Sequence, residues 1–324
     1  MQFNISNALE KTKRININRA MVYVVFLIVL AIFAVWLGGT FFSPSNLLNI
    51  SRQAATTAIM AVGMVFVIGL GQIDLSIGSV VALSAMIIAL IMRVIDNIPI
   101  ALIAGLLLGA LAGTLNGLAL TKLKIPSFLA TLGIASIIRG IAMWTTGTKA
   151  VPVTNDFYNF LFGAGSIGPI PVLLFWMLAA LILGSFALSN MAYGKQVLAC
   201  GGNYMAAQYS GVKTQKVTML VFIFMGMISA LCGALYTGRM QTARFSYGTG
   251  VEMDVIAAVV LGGTRMSGGN GSVVGAIIGA LLINMINNGL IIGGFDTAQQ
   301  TSMKGIIIVL AVALGNIGKG KRTA

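Results

Sequence analysis

Long apolar stretches alternate with short polar ones along almost the whole chain, and this pattern predicts an all-helical membrane protein. A helix needs roughly 20 apolar residues to cross a hydrocarbon core of roughly 30 Å. About ten windows come close to that length or exceed it. The windows are residues 21–39, 54–71, 77–92, 99–120, 127–145, 171–188, 217–237, 251–264, 272–292 and 302–316. We therefore expect one transmembrane domain over residues 21–318, with short segments 1–20 and 319–324 outside it.

Composition and charge placement support this interpretation. Of 324 residues, 58% are hydrophobic and 8% are charged, which excludes a soluble globular domain. The net charge of +13 is scattered over short loops and both ends of the chain, which argues against a nucleic-acid surface. Basic residues favour the cytoplasmic side of a membrane, so we expect both termini there and an even number of spans. A signal peptide also begins with basic residues, but the first window is long and lacks a small-x-small cleavage site.

A polar segment, residues 190–216, interrupts the apolar pattern and contains a short predicted helix. Asn203 can cap the start of this helix, and Gly211 can adopt the left-handed conformation that ends it. Lys195, Lys213 and Lys216 assign the segment to the cytoplasm. Seven residues form the predicted contact with another protein. They are Gly201, Gly202, Asn203, Ala206, Ala207, Ser210 and Gly211.

The chain also contains a weak internal repeat. Residues 67–82 align without gaps onto residues 260–275 with six identities in sixteen positions. Chance convergence of apolar sequence and gene duplication both explain this similarity, and internal repeats are common in transporters. Each copy has the form of a helix, a glycine-rich break and a second helix. Backbone polar groups in such breaks need protein or water around them, so we expect the breaks to line a path. The predicted span count gives the copies parallel orientation, and one miscounted span would make them inverted.

Polar residues inside the predicted spans are the candidates for the translocation path. Asn284, Asn287 and Asn288 share one helix face, where they either join neighbouring helices or line a wet pathway. Arg139 lies within the fifth window and needs a partner, because an unpaired charge at mid-bilayer is costly. We expect it either to pair with Glu252 or Asp254 or to extend to the surface. The complete set is Asp74, Ser76, Asn116, Arg139, Glu252, Asp254, Asn284, Asn287 and Asn288.

The sequence offers no chemistry of its own for catalysis or for an energy source. It lacks the GxxxxGK[ST] loop that holds nucleotide phosphates, and it has no histidine. Cys200 and Cys232 form no disulfide framework and have no histidine to complete a metal site. We therefore predict no catalytic residue, no metal site and no cofactor in this chain. A separate motor chain could act on the polar segment, and an ion-coupled secondary transporter is the alternative.

Three segments resemble the permease subunits of bacterial ABC importers for ribose, xylose, arabinose, galactose and related molecules. Residues 61–64 (AVGM) and 73–79 (IDLSIGS) are similar to the family pattern AVGM…GGIDLSVGS, although Gln72 replaces a usual glycine. The polar segment over residues 193–212 resembles the family's coupling helix. Residues 252–264 (EMDVIAAVVLGGT) and 267–271 (SGGNG) resemble the run ELDAIAAVVLGGT…GGxG. Residues 126–133 and Arg139-Gly140 also fit, so the likeness spans about residues 42–314.

The resemblance implies a type II ABC importer-like fold with broken helices. It implies a homodimer or heterodimer of permeases in the bacterial inner membrane. Two partner ATPase subunits would bind ATP and magnesium, and a periplasmic sugar-binding protein would deliver a ribose-like pentose or a related sugar. It further implies alternating access, with force entering through residues 203–211.

Overall fold

The computed structural model describes residues 26–303, 305–306 and 309, and within them it is mostly helical. Among the described residues, seven helices are long and apolar enough to cross a membrane. They are α2 (Pro44–Gly69), α3 (Ile77–Ile95), α4 (Ile98–Thr121), α5 (Ser127–Thr146), α7 (Val172–Ser189), α10 (Thr214–Met240) and α12 (Val273–Ile292). The shorter helices are α1 (Phe26–Phe41), α6 (Asp156–Asn159), α8 (Ala192–Gly202), α9 (Tyr204–Tyr209) and α11 (Val251–Leu261). A π-helical turn, Phe160–Ala164, follows α6.

The prediction of a polytopic helical membrane protein is confirmed, whereas the count of about ten spans is not. Seven windows coincide with the seven long helices. The first window corresponds to α1, whose described part is Phe26–Phe41, and the eighth corresponds to α11, which has only 11 residues. The last window overlaps a helix whose described residues are 297–303, 305–306 and 309. Segments 1–20 and 319–324 also lie outside the described residues.

The helices α2 and α10 form the centre of the bundle. The helix α2 is almost wholly buried and packs against α7, α10, α11 and α12, while α10 crosses α3 and α4. Glycines permit the closest of these crossings: a Cβ atom on Gly109 of α4 would lie 2.3 Å from the carbonyl oxygen of Gly226 in α10. Gly275 and Gly279 likewise bring α12 against α11. The glycine spacing in the sequence therefore marks real helix interfaces.

The two ends of the bundle carry different structures, and α7 connects them. At one end lie α6, the π-helical turn and four two-residue strands. These strands are β1 (Val151–Pro152), β2 (Ser166–Ile167), β3 (Ile170–Pro171) and β4 (Thr242–Ala243), paired antiparallel as β1 with β4 and β2 with β3. At the other end lie α8 and α9. We call these the α6 end and the α9 end.

Both copies of the repeat form a helix, a break and a second helix. In the first copy, residues 70–76 separate α2 from α3, and in the second, residues 262–272 separate α11 from α12. The alignment matches the ends of α2 and α11 to within one residue. It places the starts of α3 and α12 three residues out of register, because the second break is longer. Both first helices run toward the α9 end, where the breaks meet, so the copies are parallel.

Candidate coupling and translocation sites

The predicted short helix in the polar segment is α9, and its ends are built as the sequence indicates. The side-chain oxygen of Asn203 accepts a hydrogen bond of 3.0 Å from the N–H group of Ala206. Gly211 has a φ of +85°, and its N–H group donates to the carbonyl of Gln208. The Ser210 hydroxyl donates to the Ala206 carbonyl at 2.9 Å. The helix therefore holds its shape without help from a partner protein.

The two alanines of α9 differ in burial. Ala207 is buried and packs into the main hydrophobic core, so it anchors α9 to the bundle. Ala206 is exposed, and so are the large side chains of Tyr204, Met205 and Tyr209; the last is 84% exposed. A six-residue helix thus presents a small apolar surface away from the bundle. Of the two alanines, only Ala206 is accessible to a second protein.

Glycines join the α8–α9 corner directly to both helix breaks. We call Gly69, Gly201, Gly202, Gly268 and Gly269 the glycine junction. The N–H group of Gly269, in the second break, donates to the carbonyl oxygen of Gly69, the last residue of α2, at 2.9 Å. Gly201 lies so close that a Cβ atom on it would be 1.9 Å from the same carbonyl oxygen. Three backbone segments that are distant in sequence therefore touch at one point.

The first break contains a buried polar cluster of Asp74, Ser76 and Asn116. One carboxylate oxygen of Asp74 accepts from the N–H group of Ser76 at 2.8 Å and from its hydroxyl at 2.7 Å. Asn116 of α4 donates its side-chain amide to the Ser76 oxygen at 2.7 Å. The carboxylate lies at the start of α3, where the helix dipole favours negative charge. The cluster thus fixes the restart of the helix and connects it to α4.

Two hydroxyl groups of α5 satisfy the free backbone groups of this break. Ser127 accepts from the N–H group of Ile73 at 3.2 Å, and Thr131 accepts from that of Leu75 at 3.0 Å. Both lie in the segment that resembles the family pattern, yet sequence reasoning assigned them no role. Their signal was a pair of hydroxyls four residues apart, on one helix face. They explain how non-helical backbone is accommodated inside the bundle.

Arg139 contacts backbone carbonyl groups. Its guanidinium donates to the carbonyl oxygens of Phe245 and Tyr247, the latter at 2.8 Å, in the segment that precedes α11. It also interacts electrostatically with Glu252 in the first turn of α11. Neither expected alternative, a carboxylate partner alone or extension to the surface, included these carbonyls. Glu252 and Asp254 are both half-buried.

The three asparagines of α12 have different environments. Asn288 and Asn46 of α2 exchange two side-chain hydrogen bonds of 3.0 Å, so Asn288 joins two helices. Asn284 donates to the carbonyl of Ala280 within its own helix. The side-chain oxygen of Asn287 is buried and has no hydrogen-bond partner. This face was expected either to join neighbouring helices or to line a wet pathway. Asn288 joins α12 to α2.

Within the described residues, no group of three or more His, Cys, Asp or Glu side chains could hold a metal ion. Cys200 and Cys232 are both buried and free.

Comparison with known proteins identifies the class to which this bundle belongs. Residues 46–312 match the family described as branched-chain amino acid transport system / permease component. This match covers most of the chain, which belongs to that family of membrane transport permeases.

Several curated relatives are similar over nearly their full length. The ribose import permease protein of Bacillus subtilis is 40% identical over 290 residues, which cover 89% of this chain and 90% of that protein. The ribose import permease protein of Escherichia coli K12 is 38% identical, with 90% and 91% covered. The D-allose transport system permease protein of the same organism is 36% identical, with 91% and 90% covered. No solved structure matches the chain significantly. The resemblance to sugar ABC importer permeases is confirmed.

Proposed function

We propose that this chain is the membrane-spanning subunit of an ABC importer that moves a ribose-like pentose or a related sugar across the bacterial inner membrane. The names of the relatives at 37–40% identity support ribose as the first solute to test. In this proposal the α9 end faces the cytoplasm and the α6 end faces the periplasm. A binding protein delivers sugar at the α6 end, and a second permease copy completes the assembly.

The glycine junction is the observation that carries this proposal. A motor on a separate chain can grip the exposed face of α9, because Tyr204, Met205 and Tyr209 extend from the bundle. Movement of α9 and the attached α8 then acts on Gly69 and Gly269 through direct backbone contact at Gly201. Both helix breaks receive the same displacement. Alternating access follows if the helices on either side of the breaks tilt together.

The energy source in this proposal is ATP hydrolysed by the partner subunit, which would also hold the magnesium ion. The chain itself makes and breaks no covalent bond. This division of labour is supported by relatives named as ABC transporter permeases. The ion-coupled secondary sugar transporter is not favoured, because the family is described as a permease component of a transport system and the relatives are named as import permeases.

Uptake measured under two kinds of energy depletion tests the proposal. Cells expressing this chain with the ATPase and binding protein from its own transport system are given radiolabelled D-ribose. We expect uptake to stop when ATP is depleted and to continue when an uncoupler collapses the proton gradient. Uptake that survives loss of ATP and stops with the uncoupler would replace the ABC importer with the ion-coupled carrier. Failure to transport ribose, with ATP-dependent uptake of another sugar, would change the solute alone.

A further inference from the structure

The chain between α10 and α11 descends into the bundle without helical structure. Gln241 ends α10 in the left-handed conformation, and β4 then pairs with β1 at the α6 end. Residues 244–250, which we call the re-entrant segment, continue toward the first turn of α3. There Gly248 lies so close to Gly78 that a Cβ atom on Gly78 would be 2.0 Å from the Gly248 carbonyl oxygen. The last turn of α3 lies at the α6 end, where Asp96, the residue after it, accepts a hydrogen bond from Asn155. The first turn of α3 therefore lies away from the α6 end.

Arg139 gives the depth of this segment. The residue lies roughly 18 Å along α5 from Ser127 and roughly 10 Å before Thr146, at 1.5 Å per helical residue. Because its guanidinium holds the carbonyls of Phe245 and Tyr247, the re-entrant segment lies in the middle third of the bundle. On a membrane-spanning helix, this depth corresponds to the hydrocarbon core.

Polar groups of the re-entrant segment are nevertheless exposed at this depth. Ser246, Thr249 and Gly250 are exposed, whereas Gly248 is buried against α3 and Tyr247 is half-buried. Tyr247 packs beside Tyr236 of α10, with ring centroids 5.7 Å apart, which orients its side chain into the bundle. The segment thus has an inner aromatic side and an outer side of hydroxyl groups and backbone, with the exposed Arg244 at its start. Lipid cannot satisfy such an outer side, because hydrocarbon offers no hydrogen bonds.

We infer that the outer side of the re-entrant segment lines the water-filled solute path, where Ser246 and Thr249 contact the hydroxyl groups of an uncharged sugar. This inference rests on the proposed function, and it adds the contact residues and the chemistry of the solute. The Thr249 hydroxyl donates to the Ser246 carbonyl at 2.8 Å and keeps lone pairs for a solute hydroxyl.

Charges of both signs border the hydroxyl groups of the segment. Arg244, its first residue, is exposed, and Arg139 bonds to its backbone. The start of a helix ordinarily attracts anions, because its free N–H groups carry partial positive charge. In α11 the first turn contains Glu252 and Asp254, whose carboxylates counter that positive end. The segment therefore offers an anionic solute no charge of a single sign, and its hydroxyl groups suit a neutral polyol.

Cysteine accessibility tests the inference directly. Thr249→Cys and Ser246→Cys are made one at a time, with Ile137→Cys as the matched control, since Ile137 is 63% exposed and lies two residues from Arg139 on α5. The parent protein gives the background, because its two cysteines are buried. A charged, membrane-impermeant methanethiosulfonate is applied to vesicles that contain the assembled transporter. The cysteine thiolate attacks the reagent, forms a mixed disulfide with it and releases methanesulfinate. The thiolate forms in water and not in lipid.

We expect both path variants to react at least about tenfold faster than Ile137→Cys, and D-ribose, delivered by its binding protein with ATP present, to slow that reaction. Reaction as slow as that of Ile137→Cys in both variants would mean that lipid or a second copy seals this side, and the inference would be wrong. Fast reaction unaffected by ribose would remove the solute contact. The uptake assay on the parent protein tests the proposed function separately. If the parent protein takes up ribose with ATP but the cysteine variants react slowly, only the inference about the re-entrant segment is wrong.

Discussion

The backbone N–H group of Gly269 donates to the carbonyl oxygen of Gly69 at 2.9 Å, although 200 positions separate the two residues in the chain. This bond joins the end of α2 to the break that follows α11. The two breaks therefore cannot move independently at the α9 end. Gly201 lies against both Gly69 and Gly269, so the α8–α9 corner contacts both breaks.

Replacement of Gly201 by alanine should uncouple this corner, because the new Cβ atom would meet the Gly69 carbonyl at 1.9 Å. Overpacking of this kind costs about 1–3 kcal/mol, and we expect a clear loss of transport with a lower melting temperature. Gly202→Ala is the matched control, since its Cβ atom would lie 3.7 Å from the nearest atom of Gly269. Uptake and thermal unfolding of both variants provide the measurement. Equal behaviour of the two variants would show that close contact at Gly201 is unimportant.

Several features of the bundle were predictable because they depend on local sequence. The apolar windows, the Asn203 cap and the Gly211 terminus follow from periodicity and backbone preference. The junction was not predictable, because only the tertiary fold brings Gly69 to Gly269. The apolar run over residues 251–264 also did not indicate that α11 is short. Hydropathy does not show that the preceding segment extends into the bundle without helical structure.

Sequence alone also could not identify the partners of the buried polar residues. Arg139 was expected to pair with a carboxylate, because the sequence does not show which backbone carbonyl groups an arginine can reach. Asn288 was one of three similar amides, and its partner Asn46 lies 242 positions away in a less apolar stretch. Such pairings depend on which helix faces meet.

Substitution of Asp74 tests the buried cluster at the first break. Asp74→Ala leaves the N–H and hydroxyl groups of Ser76 without their acceptor, and we expect a loss of about 2–4 kcal/mol in unfolding free energy. Asp74→Asn retains an oxygen at the same position and should lose less than half as much. Denaturant unfolding in detergent compares them. If asparagine proves as damaging as alanine, negative charge, and not the position of the acceptor, stabilises the break.

A double-mutant cycle tests the partners of Arg139. Arg139→Met removes both bonds to the re-entrant segment and leaves Glu252 without its positive neighbour, at a cost of about 3 kcal/mol. Adding Glu252→Gln should recover less than half of this loss, because the carbonyls remain without a donor. Unfolding of the two single variants and the double variant gives the coupling energy. Full recovery in the double variant would identify the carboxylate as the main partner.

The Asn46–Asn288 pair should contribute to stability between α2 and α12. Asn288→Ala removes two hydrogen bonds between the helices, and we expect a loss of about 1–3 kcal/mol. Asn284→Ala is the control on the same helix, because its side chain bonds only within α12, and it should cost under about 1 kcal/mol. Thermal unfolding of each variant decides the matter. Equal losses would argue against a specific role for the pair.

The accessible alanine of α9 tests the entry of force from a partner protein. Ala206→Arg places a long charged side chain on the exposed side of the helix and leaves the buried Ala207 anchor intact. The folded permease should keep its melting temperature. ATP-dependent uptake should fall at least about tenfold, which corresponds to a loss of roughly 1.4 kcal/mol or more of binding free energy at the interface with the partner. Ala207→Arg should lower the melting temperature itself, because it introduces a charge into the core. Normal uptake by Ala206→Arg would exclude α9 as the contact.

Reconstitution of purified components tests the central claim most directly. The permease is inserted into liposomes alone, and also together with the ATPase and binding protein of its own transport system, and D-ribose accumulation is followed with and without ATP. We predict accumulation only in the complete system with ATP, because the sequence has no GxxxxGK[ST] loop and the proposed mechanism supplies the driving force through α9. Accumulation by the permease alone, against a sugar gradient and without any nucleotide-hydrolysing partner, would contradict the account.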